Sequence, residues 1–278
     1  MKSFLKSRKR TAAAMLGPAV VIAGALDLSA SSAFAKGAPA FPASAVRPTI
    51  VLVHGAWADG SSWDNVVIDL QHDGYTVDVP PNPLGGVDSD SAYLAGYLAT
   101  ITGPIVLVGH SYGGFVITNA ATGNPNVKAL VYVDAYMPAK GETLNGLTTQ
   151  FPGSQVSPDA LNFAPEPGGV TDAYIKPADF RDILANDLSV SQADELAATQ
   201  RPIDASALDE LSGTPAWATI PSWDVIGTED HALPEAAQEF MAKRAGSTVT
   251  KVDASHLSMI SHPALVTNVI EQAARHTA

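Results

Sequence analysis

The stretch Val106-Leu-Val-Gly-His-Ser-Tyr-Gly-Gly-Phe115 changes abruptly from an apolar, β-branched run to a serine between glycines. Residues 105–108 are typical of a buried strand, and the small and apolar residues 113–121 are typical of a helix packed on a sheet. Between them lies the pattern G-x-S-x-G. A tight strand-to-helix turn leaves no room for side chains two residues before and after the serine, and glycine stands at both positions. The stretch therefore predicts a turn that presents the Ser111 hydroxyl above the carboxyl end of a strand.

The chain from Pro48 onward alternates between strand and helix patterns. Four predicted helices flank the central turn, and Ser61 or Ser62 is expected to cap the first of them and Ser89 or Asp90 the second. Six strands alternating with helices predict an α/β fold with a mostly parallel sheet covered on both faces. Besides 105–108, the predicted strands are 49–53, 75–79, 129–133, 223–227 and 248–252, and the four helices are 63–71, 91–101, 234–245 and 263–276.

Residues 138–214 interrupt this alternation. The segment is rich in Pro, Gly, Asp, Ser and Thr, with short helical patterns at 178–185 and 191–199 and no pattern of a buried strand. Its apolar content is too low for a core of its own. We therefore expect an inserted helical cap over the sheet within a single α/β domain, 48–278.

The amino terminus has the three parts of a secretory signal peptide. Five basic residues between Lys2 and Arg10 precede an apolar run that is interrupted only by small residues, and Ala33-Phe34-Ala35 matches an A-x-A cleavage site. We predict a signal peptide over 1–35, cleaved after Ala35, and a flexible lead-in over 36–47. The alternative is an uncleaved membrane anchor.

Charge and composition exclude several classes of function. Removing residues 1–35 leaves 11 basic and 27 acidic residues, a net charge of −16, which disfavours nucleic acid and anionic membrane surfaces as partners. There is no cysteine, so neither disulfides nor thiol chemistry is available. The histidines lack metal-ligand spacing and no nucleotide-binding glycine pattern occurs, so we expect no metal and no cofactor.

Two further polar residues follow strands that end at the same edge of the predicted sheet. Asp230 follows the strand 223–227, and His256 follows the strand 248–252. A serine hydroxyl becomes a strong nucleophile when a histidine takes its proton, and a carboxylate holds that histidine in the required tautomer. We predict that Ser111, His256 and Asp230 form this triad, with Asp134, also at a strand end, as the alternative acid.

Groups that would bind the substrate lie at the same edge. The backbone N–H groups of Ala56 and Tyr112 are predicted to stabilise the oxyanion of a tetrahedral intermediate. Trp57, Tyr136 and Met137 are predicted to line a mainly apolar substrate pocket, although a tryptophan at position 57 could equally be structural packing.

Three other histidines are expected to have supporting roles. His110 should pack behind Ser111 with its side chain pointing away from it, His231 should lie on a loop surface, and His262 should cap the last helix.

Four motifs together resemble a known family. V-L-V-H-G-A-W at 51–57, V-G-H-S-Y-G-G at 108–114, I-G-T-E-D-H-A-L-P at 226–234 and S-H-L-S-M-I-S-H-P at 255–263 are similar to bacterial α/β-hydrolases of the branch that includes plant methylesterases and hydroxynitrile lyases. The resemblance runs from about Pro48 to the carboxyl terminus. It implies the α/β-hydrolase fold and the triad but not a substrate, because this fold hosts many chemistries.

The function expected from these residues is that of a secreted serine hydrolase. It would cleave small to medium uncharged carboxylic esters through an acyl-enzyme, with no stable membrane association after signal cleavage. One alternative is a lyase that uses the same triad for acid–base chemistry. Hydroxynitrile lyases add a lysine near the histidine, whereas Lys251 lies on the final predicted strand. A non-catalytic binding protein on the same scaffold is the third hypothesis.

Overall fold

The computed structural model describes residues 46–277, so the predicted signal peptide and residues 36–45 of the lead-in lie outside the described range. The strands are β1 (Thr49–Val53), β2 (Thr76–Asp78), β3 (Ile105–His110), β4 (Val127–Val133), β5 (Leu161–Pro165), β6 (Thr171–Ile175), β7 (Ile203–Asp204), β8 (Ser222–Gly227) and β9 (Thr248–Val252). The helices are α1 (Asp64–His72), α2 (Val87–Leu98), α3 (Gly113–Ala120), α4 (Leu144–Gln150), α5 (Pro177–Leu184), α6 (Val190–Thr199), α7 (Glu235–Ala245), α8 (Ser258–Ser261) and α9 (Pro263–His276). Within residues 46–277 we find no helix with the length and hydropathy needed to span a membrane.

Six of the strands form one parallel sheet, which confirms the predicted α/β fold. Their order is β2-β1-β3-β4-β8-β9, and every neighbouring pair is parallel. The order reverses at β1, because β2 lies on one side of it and β3 on the other. In open α/β sheets the ligand crevice lies at the carboxyl ends of the strands beside such a reversal. Residues 54–57 follow β1 at this point, and Ser111 follows β3.

Helices cover both faces of the sheet. Tyr132 on β4 and Asp224 on β8 are paired in register and share a face, where the Tyr132 hydroxyl lies 2.8 Å from Thr118 Oγ1 of α3. Trp223 points to the opposite face, where its ring packs on the ring of His276 in α9 with 5.3 Å between the ring centroids. The continuous apolar strand patterns are therefore explained by burial on both sides.

Two predicted helix starts are wrong. A 3-10 helix, Gly60–Trp63, precedes α1, and its cap is Asp59, which accepts the Ser61 N–H at 2.8 Å, rather than Ser61 or Ser62. Helix α2 begins at Val87, before Ser89 and Asp90. The N–H groups of Val87 and Asp88 donate to the carboxylate of Glu210, which is 123 residues away from Val87 in sequence. A capping group so distant in sequence leaves no local signal.

The predicted cap segment (138–214) is not purely helical. It contains α4, α5 and α6 together with a three-stranded antiparallel sheet of order β5-β6-β7, which we call the cap sheet. In β6 the buried residues Ala173 and Ile175 alternate with half-buried ones, while much of β5 is exposed. Such short, partly exposed strands have no continuous apolar run, so the sequence pattern did not reveal them.

Candidate active site

The turn between β3 and α3 has the predicted strained geometry. Ser111 has a φ of +52°, a left-handed value that is uncommon for a residue with a side chain. A Cβ atom on Gly109 would lie 2.7 Å from the Gly113 carbonyl oxygen, and one on Gly113 would lie 2.6 Å from that of Val53. Both glycines are therefore required for the turn to pack between β1 and α3.

The structure brings the three predicted triad side chains together. The Ser111 Oγ lies 2.8 Å from His256 Nε2, and His256 Nδ1 lies 2.7 Å from Asp230 Oδ2. All three residues are buried, with 5%, 2% and 5% of their surfaces exposed. In this arrangement Nδ1 donates to the carboxylate and Nε2 is free to accept the serine proton.

The Asp230 carboxylate is held from several sides. Oδ1 accepts the backbone N–H groups of Ala232 and Leu233, both at 2.8 Å. Oδ2, the atom that contacts His256, also accepts the Gln238 Nε2–H at 2.8 Å. The sequence analysis missed Gln238, because a glutamine within a helix pattern usually indicates a solvated face. These contacts fix the orientation of the Asp230 carboxylate.

Asp134, the alternative acid, makes no hydrogen bond to His256 within the described residues. Its Oδ1 accepts the Gly227 N–H at 2.8 Å, and its Oδ2 accepts the Ser258 N–H at 3.0 Å. Gly227 ends β8 just before the loop that carries Asp230, and Ser258 begins α8 just after the loop that carries His256. Burial, followed by the nearby Asp230 charge, raises the pKa of Asp134 to about 7. The geometry therefore favours Asp230 as the acid and gives Asp134 a role in holding the two loops.

The environment of His256 changes its basicity. Burial alone would lower the pKa of the imidazole, but the Asp230 carboxylate and the more distant Asp134 outweigh it, so the pKa lies above the ordinary value of 6.5. His110 packs beside it, with ring centroids 5.0 Å apart, and its Nε2–H donates to the His256 carbonyl oxygen at 2.8 Å. Burial, with the His256 charge next, lowers the pKa of His110 well below 6.5. A neutral, packed His110 agrees with the expectation from the sequence.

The two backbone amides predicted to bind the oxyanion have no acceptor within the described residues. Within residues 46–277, neither the Ala56 N–H nor the Tyr112 N–H donates a hydrogen bond to another protein group. Asn82 supports the loop that carries Ala56, because its Nδ2–H donates to the His54 carbonyl oxygen at 2.9 Å. The Tyr112 hydroxyl donates to Asp90 Oδ2 at 2.9 Å, and both side chains are fully buried. Sequence reasoning identified neither Asn82 nor Asp90 as a support for the site.

The three predicted pocket residues have different environments. Trp57 contacts the cap segment, where its indole Nε1–H donates to the Ala173 carbonyl oxygen at 2.9 Å. Tyr136 donates its backbone N–H to the Ser111 carbonyl oxygen at 3.3 Å, and its hydroxyl lies 2.6 Å from Thr148 Oγ1. Met137 has no exposed surface, and its N–H points at Met241 Sδ at 3.2 Å. Met137 therefore packs against α7, and its place in the pocket lining stays a prediction.

The remaining candidates lie away from the reacting atoms. His231 is half-buried rather than a free surface residue, because its Nδ1 lies 2.8 Å from the Asp182 carbonyl oxygen in the cap segment. His262 occupies the residue before α9 but makes no side-chain capping bond. Lys251 is exposed and pairs with Glu235 at 2.8 Å and with Glu239. Among residues 46–277, no cluster of three or more histidine or carboxylate side chains is arranged to hold a metal ion.

Two named relatives are similar to this chain in sequence. A carbendazim hydrolyzing esterase from Nocardioides sp. is 34% identical over 110 residues, which are 35% of this chain and 46% of the relative. A pyrethroid hydrolase from Sphingobium wenxiniae is 27% identical over 235 residues, 77% of this chain and 83% of the relative. Both relatives are named as hydrolytic enzymes.

A solved structure extends the similarity to the fold. An extracellular alpha/beta-hydrolase from a Paenibacillus species superposes with a TM-score of 0.67 at 22% identity, covering 81% of this chain and 98% of that one. The model of the alpha/beta hydrolase family matches residues 50–269, which include β2 to β9, all of β1 except Thr49, and every candidate site residue. This chain therefore belongs to the alpha/beta hydrolase family.

Proposed function

We propose that this protein is a secreted serine esterase that cleaves small to medium uncharged carboxylic esters through an acyl-enzyme. The observation that carries the proposal is the continuous series of hydrogen bonds from Ser111 to His256 to Asp230, at 2.8 and 2.7 Å, beside two backbone amides without other acceptors. A relative named as an esterase supports the choice of ester chemistry. Secretion rests on the sequence of residues 1–35.

The proposed reaction has two halves. His256 Nε2 takes the Ser111 proton as Oγ attacks the ester carbonyl, and the Ala56 and Tyr112 N–H groups stabilise the resulting oxyanion. The imidazolium then gives its proton to the departing alcohol, leaving Ser111 acylated. A water molecule attacks the acyl group with His256 again as the base, and the carboxylic acid leaves. Each oxyanion donor is worth about 3 kcal/mol of transition-state stabilisation.

An acidic groove and the burial of Ser111 support a limit on substrate charge and size. A groove of about 450 Å³ runs between α6 of the cap and the 3-10 helix Gly60–Trp63. Asp59, Asp64 and Glu195 are among its lining residues. Their negative charges disfavour anionic substrates. No triad residue lines this groove, so the proposed size limit rests instead on the burial of Ser111, of which only 5% is exposed.

The direct test is a kinetic screen of the mature protein with p-nitrophenyl esters. The parent protein should show a burst of p-nitrophenol followed by steady turnover, because acylation releases the alcohol before the acyl-enzyme is hydrolysed. Ser111→Ala should keep its circular dichroism spectrum and lose turnover, whereas Ser91→Ala, a buried serine on α2, should keep it. Turnover by Ser111→Ala, or cleavage of cyanohydrins without ester turnover, would reject the proposal.

The size limit is tested with a series of acyl chains. Each buried methylene adds about 0.8 kcal/mol until the pocket is full. The value of kcat/KM should therefore peak at acetyl to octanoyl esters and fall at palmitoyl. A maximum at palmitoyl, or efficient clearing of an emulsified polyester, would reject the size limit and leave the triad intact.

A further inference from the structure

Trp57 has an unusual backbone conformation directly beside a proposed oxyanion donor. It follows Ala56 in sequence, is 6% exposed and has a φ of +58°. A bulky residue rarely adopts this left-handed conformation and keeps it only where the surrounding structure holds it. The contacts that hold Trp57 therefore also restrict the backbone of Ala56, the residue before it.

Two hydrogen bonds connect Trp57 to the cap segment. Its backbone N–H donates to the Arg201 carbonyl oxygen, and its indole Nε1–H donates to the Ala173 carbonyl oxygen, both at 2.9 Å. Ala173 is paired with Ile203 between β6 and β7, and Arg201 lies two residues before Ile203. Both acceptors thus belong to one small region of the cap sheet.

The ring of Trp57 has little space beside it for substrate. The gap that it lines with Phe180, Leu196 and Leu257 has a volume of about 10 Å³, enough for about one water molecule. On the far side of the loop, a Cβ atom on Gly55 would lie 2.6 Å from Ser111 Cβ. The backbone of residues 54–57 is thus confined between Ser111 and the cap sheet.

We propose that Trp57 is a positioning residue that ties the cap sheet to residues 54–57 and thereby aims the Ala56 N–H at the oxyanion. The inference rests on the proposed esterase function, because it concerns the transition state of that reaction. It gives the cap segment a part in the chemistry itself. The Ala56 N–H would act in both acylation and deacylation, since both pass through a tetrahedral oxyanion.

The kinetic signature of positioning differs from that of a pocket residue. A misaimed Ala56 N–H weakens binding of the transition state and leaves binding of the ester ground state nearly unchanged. The value of kcat should therefore fall while KM stays constant. Affinity for a trifluoromethyl ketone, which forms a tetrahedral adduct with the serine, should fall in parallel with kcat/KM.

The test removes the indole N–H and measures these quantities with p-nitrophenyl butyrate. In Trp57→Phe we expect kcat to fall by about tenfold or more, KM to stay within about twofold, and the inhibition constant of a trifluoromethyl ketone to rise by a factor similar to the fall in kcat/KM. Trp217→Phe is the matched control, because the Trp217 indole also donates to a backbone carbonyl, that of Pro138, at 2.9 Å. The control should keep kcat and inhibitor affinity.

A second replacement covers the case in which Trp57→Phe does not fold. Incorporating benzothienylalanine at position 57 keeps a bicyclic ring of nearly the same shape and removes only the N–H, and it should reproduce the loss in kcat. Unchanged kcat with either replacement, or a rise in KM alone, would overturn the positioning role while the parent protein still hydrolyses the ester. Absence of ester hydrolysis by the parent protein would overturn the proposed function and this inference with it.

Discussion

Asp230 and Asp134 follow neighbouring strands of the central sheet, yet they bond to different groups. Asp230 accepts the His256 Nδ1–H at 2.7 Å, whereas both oxygens of Asp134 are occupied by backbone amides. The residue that orients the imidazole should therefore have the larger effect on kcat. Replacing Asp230 should therefore cost more activity than replacing Asp134.

In Asp230→Asn the amide cannot hold the same tautomer of His256, so kcat should fall by roughly 10⁴-fold. In Asp134→Asn one backbone amide loses its acceptor, which should lower the melting temperature and reduce kcat far less. Purified variants assayed with p-nitrophenyl butyrate, with circular dichroism as the folding control, decide the order. A larger loss in kcat for Asp134→Asn would transfer the acid role to Asp134.

The pH dependence of the reaction follows from the raised pKa of His256. Only neutral His256 can accept the Ser111 proton, so kcat/KM should rise with pH and level off, with its midpoint above 6.5. Asp230→Asn removes the charge that most favours the imidazolium, so the midpoint of its residual activity should move to lower pH. Both profiles can be measured from about pH 5 to about pH 9. A rate that peaks in acid would contradict the general-base role.

At the scale of elements, helix α2 depends on a residue of the cap segment. The Glu210 carboxylate accepts the N–H groups of Val87 and Asp88 at 2.6 and 3.0 Å, at the positive end of the helix dipole. The same helix carries Asp90, which fixes the Tyr112 side chain. The cap segment thus contacts the helix that supports the second proposed oxyanion donor.

Removing this capping carboxylate should destabilise the protein. Glu210→Ala is expected to lower the free energy of unfolding by about 1 kcal/mol, the usual cost of a lost helix cap. Urea denaturation followed by circular dichroism measures it. Glu195→Ala, an exposed glutamate of α6 with no side-chain bond within the described residues, is the control and should change stability far less. Equal effects in both variants would show that the Glu210 carboxylate adds nothing to stability as a cap of helix α2.

At the scale of the whole molecule, one buried carboxyl group opposes folding as pH rises. Asp224 on β8 is completely buried, and neither of its oxygens has a hydrogen-bond partner within the described residues. Burial, followed by the charge of Asp134, raises its pKa well above 3.8. The unfolded chain ionises this group at its ordinary pKa, while the folded protein keeps it protonated. Stability is therefore lost progressively as pH rises from the ordinary to the raised pKa.

Asp224→Asn should remove this loss. Relative to the variant, the parent protein should become less stable by up to about 1.4 kcal/mol for each pH unit in that window. Urea denaturation at a series of pH values from about 5 to about 8 gives the two slopes. Asp194→Asn, an exposed aspartate on α6, should keep the slope of the parent protein. If the free energy of unfolding changes with pH in the same way for the parent and Asp224→Asn, Asp224 is not the cause of the loss of stability.

The sequence determined the features whose physical cause is local. Continuous apolar runs predicted the central strands β1 and β3, because strands buried on both faces need apolar residues at nearly every position. The edge strands β2 and β9 are partly exposed and have mixed patterns. Gly109 and Gly113 predicted the turn at Ser111, because any Cβ atom at those positions would collide with backbone. Strand ends placed Asp230 and His256 at one edge, since parallel strands bring their carboxyl ends together.

Only the tertiary structure decided the features that depend on partners distant in sequence. Glu210 and Val87 are 123 residues apart, and Trp57 and Ala173 are 116 apart. The roles of Gln238, Asn82 and Asp90 likewise emerge from contacts made after the chain has folded. A hydrogen bond between such residues has no periodicity and no neighbouring motif, so its donor and acceptor look like ordinary polar residues until the sheet and the cap segment bring them together.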